Sequence, residues 1–454
     1  MNILLRSGSG ESLPIALRLE AERHICRMAI SDEADPEYHD TGDGLIDKVA
    51  YNQKNVDWAD LVVFDGNEFK LPYEAEILRR DGKQVLGSSA FVGRLENDRA
   101  FAIEVAKQAG ISVPDVREFS GGSAWDDAKR YVTRMAPDKK LVWKPNGEAP
   151  ATTFVAESRD EILQMFPYWK ELYSEHSEEP SFIITDAIEG EEISTEGWFN
   201  GEQFYLPNHT LERTRFFDGD HGEKTGCAGN VVWSHGDTPL YNRLFNKLAP
   251  FFAGRYNGPV DVNVIIEKNS NEPIFLEFTP RFGYDAFFGL MEILNSDMGK
   301  LFYETAYGRD ISATVDRAFS GAVRVHVPPY PEPSADDDKK RPIGIPIFGL
   351  TFEKKGFDGY YPVEVALKDG KAVTTGPDGY VLVAAGKGSS PRAATEAAYK
   401  AVDRLRIPTA RWRMDLAVKF QNIYDAVKRT GWINEGNRKA EVTRPTFSMF
   451  RRSA

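Results

Sequence analysis

Glu277, Thr279 and Arg281 stand two residues apart in the stretch Pro273-Ile-Phe-Leu-Glu-Phe-Thr-Pro-Arg-Phe-Gly283. Read as a strand, the stretch sends Glu277 and Thr279 to one side. Ile274, Phe275, Leu276 and Phe278 supply its apolar run. A carboxylate in such a strand is costly unless a cation meets it. A divalent metal is one answer, because hard cations take oxygens from carboxylates and phosphates. A salt bridge to Arg281 at the strand end is the other. Arg281 itself suits an anionic group. Upstream, Pro259-Val-Asp-Val-Asn-Val-Ile-Ile266 places Asp261 and Asn263 on one face, and a hairpin at 268–272 joins that strand to the Glu277 strand.

Three other segments carry candidate chemistry. Lys144 lies on the apolar strand Leu141–Pro145, as a snorkelling edge residue or a phosphate ligand. The small-residue loop 146–153 follows, either a plain hairpin or a lid over phosphates. Ser7-Gly-Ser-Gly-Glu11 separates a strand over 3–5 from a helical pattern over 13–27. It is a tight turn, or a turn whose amides and helix N-terminus meet an anion. The glycine-rich segment 213–229 reads as a long polar loop, solvated or functional. In it Asp218 and Asp220 suit an amine, and Arg213 and Arg215 suit a carboxylate or phosphate.

The elements that must position these groups alternate between α and β. Residues 60–65 and 85–87 read as strands, which with the first strand make a small doubly wound N-terminal domain. A helix spans 97–109, and residues 181–192 form a strand that runs into an acidic turn. Asn200-Gly201 marks a hairpin. At 454 residues the chain exceeds one core and divides into three or four lobes. Hydrophobic residues at 41% and charged residues at 28% are those of an ordinary globular protein, and a net charge of −13 argues against general nucleic-acid binding. The two cysteines make no disulfide framework or zinc pattern, and no apolar run reaches a membrane span. These features predict a cytoplasmic protein.

The order of these segments resembles an ATP-grasp ligase, and within that superfamily the glycinamide ribonucleotide synthetase (phosphoribosylamine–glycine ligase) family. The resemblance runs from Met1 to about residue 425. It rests on Ser7–Glu11, Gly87-Ser-Ser89 with Leu95-Glu96 and Arg99-Ala-Phe101, Ile188-Glu-Gly-Glu-Glu192, the 215–229 loop, and Glu277–Gly283. It implies an α/β and α+β multidomain chain: a doubly wound domain over 1–95, a linker helix and small ATP-grasp lobe over 96–195, a central lobe over 196–325, a β-rich C-terminal lobe over 326–433, and a tail over 434–454.

The resemblance also implies roles. Arg99 and Lys144 would contact ATP phosphates, Asp186 and Ile188 would form the adenine hinge, and Glu192 would bind ribose. Glu277, Thr279 and Asn263 would hold magnesium, or manganese, with Asp261 a further possible ligand. Gly8, Gly10, Asp218, Thr225 and Gly226 would bind substrate, with the glycine turn taking its phosphate. Arg215, Arg281 and Asp220 would be catalytic. The implied reaction joins an amino acid to an amine through an acyl phosphate, in a monomer or homodimer. Alternatives are a different nucleotide or sugar amine, or a nucleotide-binding paralogue without catalysis.

The chain departs from the family at its site. Arg99 replaces lysine, Thr185 stands where a carboxylate often faces adenine, and the 146–153 loop has only Gly147. Thr279 replaces asparagine, Tyr284 displaces an aspartate to Asp285, and Lys224 and Cys227-Ala228 replace neutral and Gly-Met positions.

Overall fold

The computed structural model describes residues 1–146, 152–176, 179–331, 342–352 and 359–434. The lid expected after Lys144, with Gly147, and the tail after Asn434 lie outside the described residues.

Ile3 and Leu5 pack on one side of the first strand and Leu4 on the other. That alternation buries the strand on both faces, as a doubly wound sheet requires. Strands β1 (Asn2–Ser7), β2 (Ile25–Ile30), β3 (Asp47–Lys48), β4 (Leu61–Phe64) and β5 (Val85–Leu86) form a parallel sheet in the order β3-β2-β1-β4-β5. Ile15, Ala16 and Leu19 of the helix Leu13–Ala21 cover one face; Leu71, Ala75 and Leu78 of the helix Leu71–Arg80 cover the other. The helix expected over 13–27 stops at Ala21, Arg23 takes a positive φ of 70°, and Ile25–Ile30 is a strand. Cys26, Met28 and Ile30 feed the same apolar cluster as the helix, so the apolar run continued while its period changed.

The next unit is an antiparallel sheet of β6 (Val116–Ser120), β7 (Leu141–Pro145), β8 (Phe154–Ala156) and β9 (Ser181–Asp186), ordered β6-β9-β7-β8. Leu141 and Trp143 are buried on its helix-covered face, where the Trp143 and Trp169 rings stack at 4.1 Å. Lys144 therefore points the other way, by the two-residue period.

The largest sheet, in the described residues, has eight strands. These are β10 (Gly190–Phe199), β11 (Phe204–Phe217), β12 (His221–Trp233), β13 (Gly258–Glu267), β14 (Pro273–Thr279), β15 (Phe319–His326), β16 (Tyr360–Pro362) and β19 (Tyr380–Gly388), ordered β14-β13-β10-β11-β12-β15-β19-β16. The pair β17 (Val365–Lys368) and β18 (Lys371–Thr374) stands apart from it. Sheet membership thus changes at Gly190, inside the 96–195 segment, and β15 pairs with β19 across position 326. The Asn200-Gly201 turn joins β10 to β11, with Phe199 opposite Phe204. The polar segment 213–229 is strand rather than loop: β11 and β12 pair from His209↔Trp233 to Phe217↔His221, closed by Asp218-Gly219-Asp220. Register shifts on both sides of Arg215 break the alternation that would have marked these strands in the sequence.

Candidate active site

The cleft between the two antiparallel sheets is where their charges meet. β10, β13 and β14 lie side by side, so their registers build two cross-strand rows on one face. Ser194, Asn263 and Glu277 form one row; Glu196, Asp261 and Thr279 form the next. Glu277 is not enclosed as its apolar neighbours suggested. Phe275 and Phe278 are buried on the far face, while the Glu277 side chain is 48% accessible in the cleft. Its partner is Arg99 rather than Arg281: Arg99 donates from Nη1 to Glu277 Oε2 at 3.1 Å and from Nε to the Pro145 carbonyl at 2.8 Å.

Lys144, Glu192 and Lys224 complete this group, each acting on Glu277 electrostatically. The partial loss of solvent in the cleft would raise the Glu277 pKa, but Lys144, Arg99 and Lys224 outweigh it and hold the carboxyl below its ordinary value. Solvent exclusion lowers Lys144, with Arg99 and Lys224 acting in the same direction. Solvent exclusion and the Glu277 charge raise Glu192. Arg99, Lys144, Thr185, Leu276 and Glu277 line one narrow cavity here. At the hinge, Asp186 pairs with Lys139 at 2.6 Å, and the adjoining Ala187 N–H bonds the Lys140 carbonyl at 3.2 Å. Ile188 follows at the base of β10 and makes no described polar contact.

The residues at the head of the cleft fit a hard cation. Asn263 lies opposite Glu277, Thr279 lies opposite Asp261, and every candidate ligand atom is oxygen. Asp261 Oδ1 is buried with no hydrogen-bond partner. Burial, then Glu196 and Glu212, push Asp261 well above the usual carboxylate range. Asn263 accepts from Ser194. Glu196 and Glu212 are carboxylates that sequence reasoning missed, each pushed up to about 7 by burial. Glu192, Ser194 and Glu196 recur at period two on β10, a signal that would have found Glu196.

Other expected residues lie elsewhere. Asp220 bonds Arg413 Nη1 and Lys419 Nζ at 2.8 and 2.7 Å, and these cations bring its pKa to about 2 against the opposing effect of burial. Asp218 accepts from the Met414 amide at 2.9 Å. Arg215 donates to the Gly222 carbonyl at 2.7 Å. Asp218 and Asp220 hold the β11–β12 tip to the C-terminal segment, the Arg215 side chain braces the hairpin itself, and none of the three makes a described contact with Glu277. Thr225 donates to the Thr214 carbonyl at 2.8 Å. A Cβ on Gly226 would lie 3.7 Å from Arg324 Nη1, so this glycine passes close to a buried guanidinium. Arg324, unforeseen from sequence, holds the displaced Asp285 through two bonds of 2.8 and 3.0 Å. Arg281 pairs with Glu96 at 2.7 Å.

The glycine turn is lined by carboxylates. The Gly8 amide donates to Asp65 Oδ1 at 3.3 Å, and the Gly10 amide donates to Ser7 Oγ at 2.8 Å. Ser7 in turn donates to Asp65. A Cβ on Gly8 would sit 1.7 Å from Glu68 Oε1. Protein oxygens already answer the amides that the sequence offered to a phosphate.

A doubly wound domain, a small antiparallel lobe and a large antiparallel sheet, with lysine, arginine and carboxylates facing one cleft, make up an ATP-grasp fold. Within that class the chain is similar to the glycinamide ribonucleotide synthetases. Residues 97–285 match the family model for the phosphoribosylglycinamide synthetase ATP-grasp (A) domain. A phosphoribosylamine–glycine ligase of Leptospira interrogans is 24% identical over 349 residues, 74% of this chain and 78% of that protein. One from Neisseria meningitidis is 26% identical over 355 residues, 76% of this chain and 80% of its own length. The crystal structure of the Thermotoga maritima phosphoribosylamine–glycine ligase superposes with a TM-score of 0.70 at 20% identity, covering 91% of this chain and all of that one. A biotin carboxylase domain of Hydrogenobacter thermophilus, crystallised with magnesium ADP and bicarbonate, gives 0.62 at 15% identity over 94% of this chain and 95% of its own. Among the described residues no helix is long and apolar enough to cross a membrane.

Proposed function

We propose that this chain is an ATP-dependent carboxylate–amine ligase of the phosphoribosylamine–glycine type, acting in the cytoplasm on small-molecule substrates. The observation that carries this reading is the meeting of Arg99, Lys144 and Lys224 with Glu192 and Glu277 in one cleft. Three cations suit a polyphosphate, and a carboxylate held ionised among them suits a metal. Glu277, Asn263 and Thr279, with Asp261 beside them, would hold magnesium, or manganese. The ion would neutralise charge on the transferring phosphoryl group.

A carboxylate is a poor electrophile. Transfer of the terminal phosphoryl of ATP makes it an acyl phosphate; the amine nitrogen then forms the C–N bond as the C–O bond to phosphate breaks. In this reading Lys144 and Arg99 orient the phosphates, Glu192 binds ribose, and Asp186 with Ile188 frames the base. Arg281, half-buried and paired with Glu96, would steady charge at the acyl end. The segments 1–95, 96–195, 196–325 and 326–433 are proposed as its functional lobes. The test is ADP release with magnesium ATP across amino acids, with and without phosphoribosylamine. Glycine-dependent release that requires phosphoribosylamine supports the first reading.

A second reading keeps the chemistry and changes the amine. Glu68 against Gly8 favours it, because a carboxylate occupies the space over the turn where a phosphate was expected.

A further inference from the structure

The tip of β11, the end of β15 and the segment 410–414 enclose a groove of about 480 Å³, which shares no lining residue with the cavity beside Glu277. Phe216, Phe217, Trp412 and Met414 form its walls, and His326 and Arg411 also line it. Phe217 and Met414 stay 52% and 63% accessible, although facing water costs large apolar side chains free energy.

The groove is preformed, because its three sides are tied together. The His326 amide donates to the Arg411 carbonyl at 3.1 Å, and the Arg411 amide donates to the His326 carbonyl at 2.8 Å. The buried Arg413 donates to Asp220 at 2.8 Å and to the Arg215 carbonyl at 3.0 Å. The Met414 amide donates to Asp218 Oδ1 at 2.9 Å. Preformed concave sites with apolar walls and a few placed polar groups are those that take small molecules.

Three polar side chains in the lining have bonding capacity left. Arg411 is exposed and makes no ion pair among the described residues. Asp218 meets the Met414 amide with one oxygen, and among the described residues its other oxygen has no partner. His326 is only 5% accessible and lies between the Phe216 and Tyr330 rings, with centroids at 4.8 and 4.7 Å. Its Nδ1 is buried without a hydrogen-bond partner. Buried polar groups are rarely left unanswered. A half-turn of the ring about χ2 exchanges its two edges without leaving the stack, so either edge can face the groove. Burial, then Arg324 and Arg411, lower the His326 pKa to about 3. The imidazole is therefore neutral near pH 7, with one nitrogen able to accept.

We propose that this groove binds an aromatic α-amino acid, with its carboxylate on Arg411, its ammonium on Asp218 and His326, and its ring against Phe217, Trp412 and Met414. A guanidinium takes a carboxylate through two parallel bonds. An ammonium has three donors, enough for a carboxylate oxygen and an imidazole nitrogen together. Aromatic and thioether walls favour a ring. The site stands apart from the Glu277 cleft, and the proposal does not depend on the ligase reading.

The test is calorimetric titration of the full chain with L-phenylalanine. It is set against phenylpropionate, which lacks the ammonium, phenethylamine, which lacks the carboxylate, and glycine, which lacks the ring. Phenylalanine is expected to bind with a Kd of about 1 mM or tighter, and each analogue at least ~10-fold more weakly. Arg411→Gln and Phe217→Ala, both at exposed side chains, are each expected to weaken phenylalanine at least ~10-fold. Thermal melts report that the variants are folded. Failure of phenylalanine to bind, equal binding of any analogue, or equal binding by either folded variant overturns the proposal; the last outcome would place the amino acid elsewhere on the chain. If neither variant folds, the comparison of the four ligands on the unaltered chain decides alone.

Discussion

The Glu277 cleft and the carboxylate pocket at the glycine turn each gather several carboxylates, yet their charges are balanced in opposite ways. In the cleft, Lys144, Arg99 and Lys224 surround Glu277 and hold its pKa below the ordinary value against the effect of lost solvent. In the pocket, Arg281 and Arg324 are spent on Glu96 and Asp285, and burial raises Glu11 to about 7. The same side chain, placed where cations converge, stays an anion ready for a metal. Placed where the nearby cations are paired with other carboxylates, it is poised between charged and neutral near pH 7. The lesson is that burial sets the penalty on a carboxylate's charge and the charges that face it decide whether that penalty is overcome.

That contrast can be broken at Glu277 first. Glu277→Gln is expected to lower ADP release at least ~100-fold, because the cleft then holds three cations with one fewer anion to organise magnesium. Near-normal turnover in magnesium ATP would remove the metal assignment. Gly8→Ala comes next. Its Cβ would lie 1.7 Å from a Glu68 oxygen, so the turn or Glu68 must shift and the chain is expected to lose about 1–3 kcal/mol of stability in denaturant unfolding, while ATP titrated into the cleft binds as before. A loss of ATP affinity in the same variant would show that the two regions are not independent.

Glu11→Gln probes the pocket through stability. The folded pKa of Glu11 lies above its unfolded value of 4.5, so the unfolded chain ionises first as pH rises. The resulting penalty is absent below about pH 4.5 and complete above about pH 7. Glu11→Gln is therefore expected to stabilise the chain at pH 8, by about 1–3 kcal/mol, and to change little at pH 4.5. Thermal melts at the two pH values check this, and an equal effect at both would contradict it. The smallest expected effect is Arg99→Lys. It keeps the charge beside Glu277 and loses the fork that also reaches Pro145, so turnover should change less than about tenfold.

Legibility followed period. The strand 141–145 and the hairpin at Asn200-Gly201 were readable because apolar residues and turn residues agreed there. The helix over 13–27 was read too long, because Ile25–Ile30 continues its apolar run into the same core. The segment 213–229 was read as a loop because its strands carry glycines, charges and register shifts instead of alternation. At the site, Lys144 and Glu277 were legible from residue type and strand position and Glu192 through the family resemblance, and the structure brings all three to one cleft. Asp218 and Asp220 had suitable chemistry, but Arg413, Lys419 and the Met414 amide come from almost two hundred residues away to bind them.

The sequence by itself determined the class of the protein: an ordered series of a glycine turn, a lysine strand, an acidic turn and a carboxylate strand, each encoded over a few residues. Tertiary structure alone decided the partners. It set Arg99 rather than Arg281 against Glu277, added Lys224 and Glu196, and laid Glu68 over Gly8. The reason is range. Strand period and turn chemistry act between near neighbours, whereas an ion pair or a pKa depends on groups within a few ångströms in space, and sheet registers brought those together from distant parts of the chain.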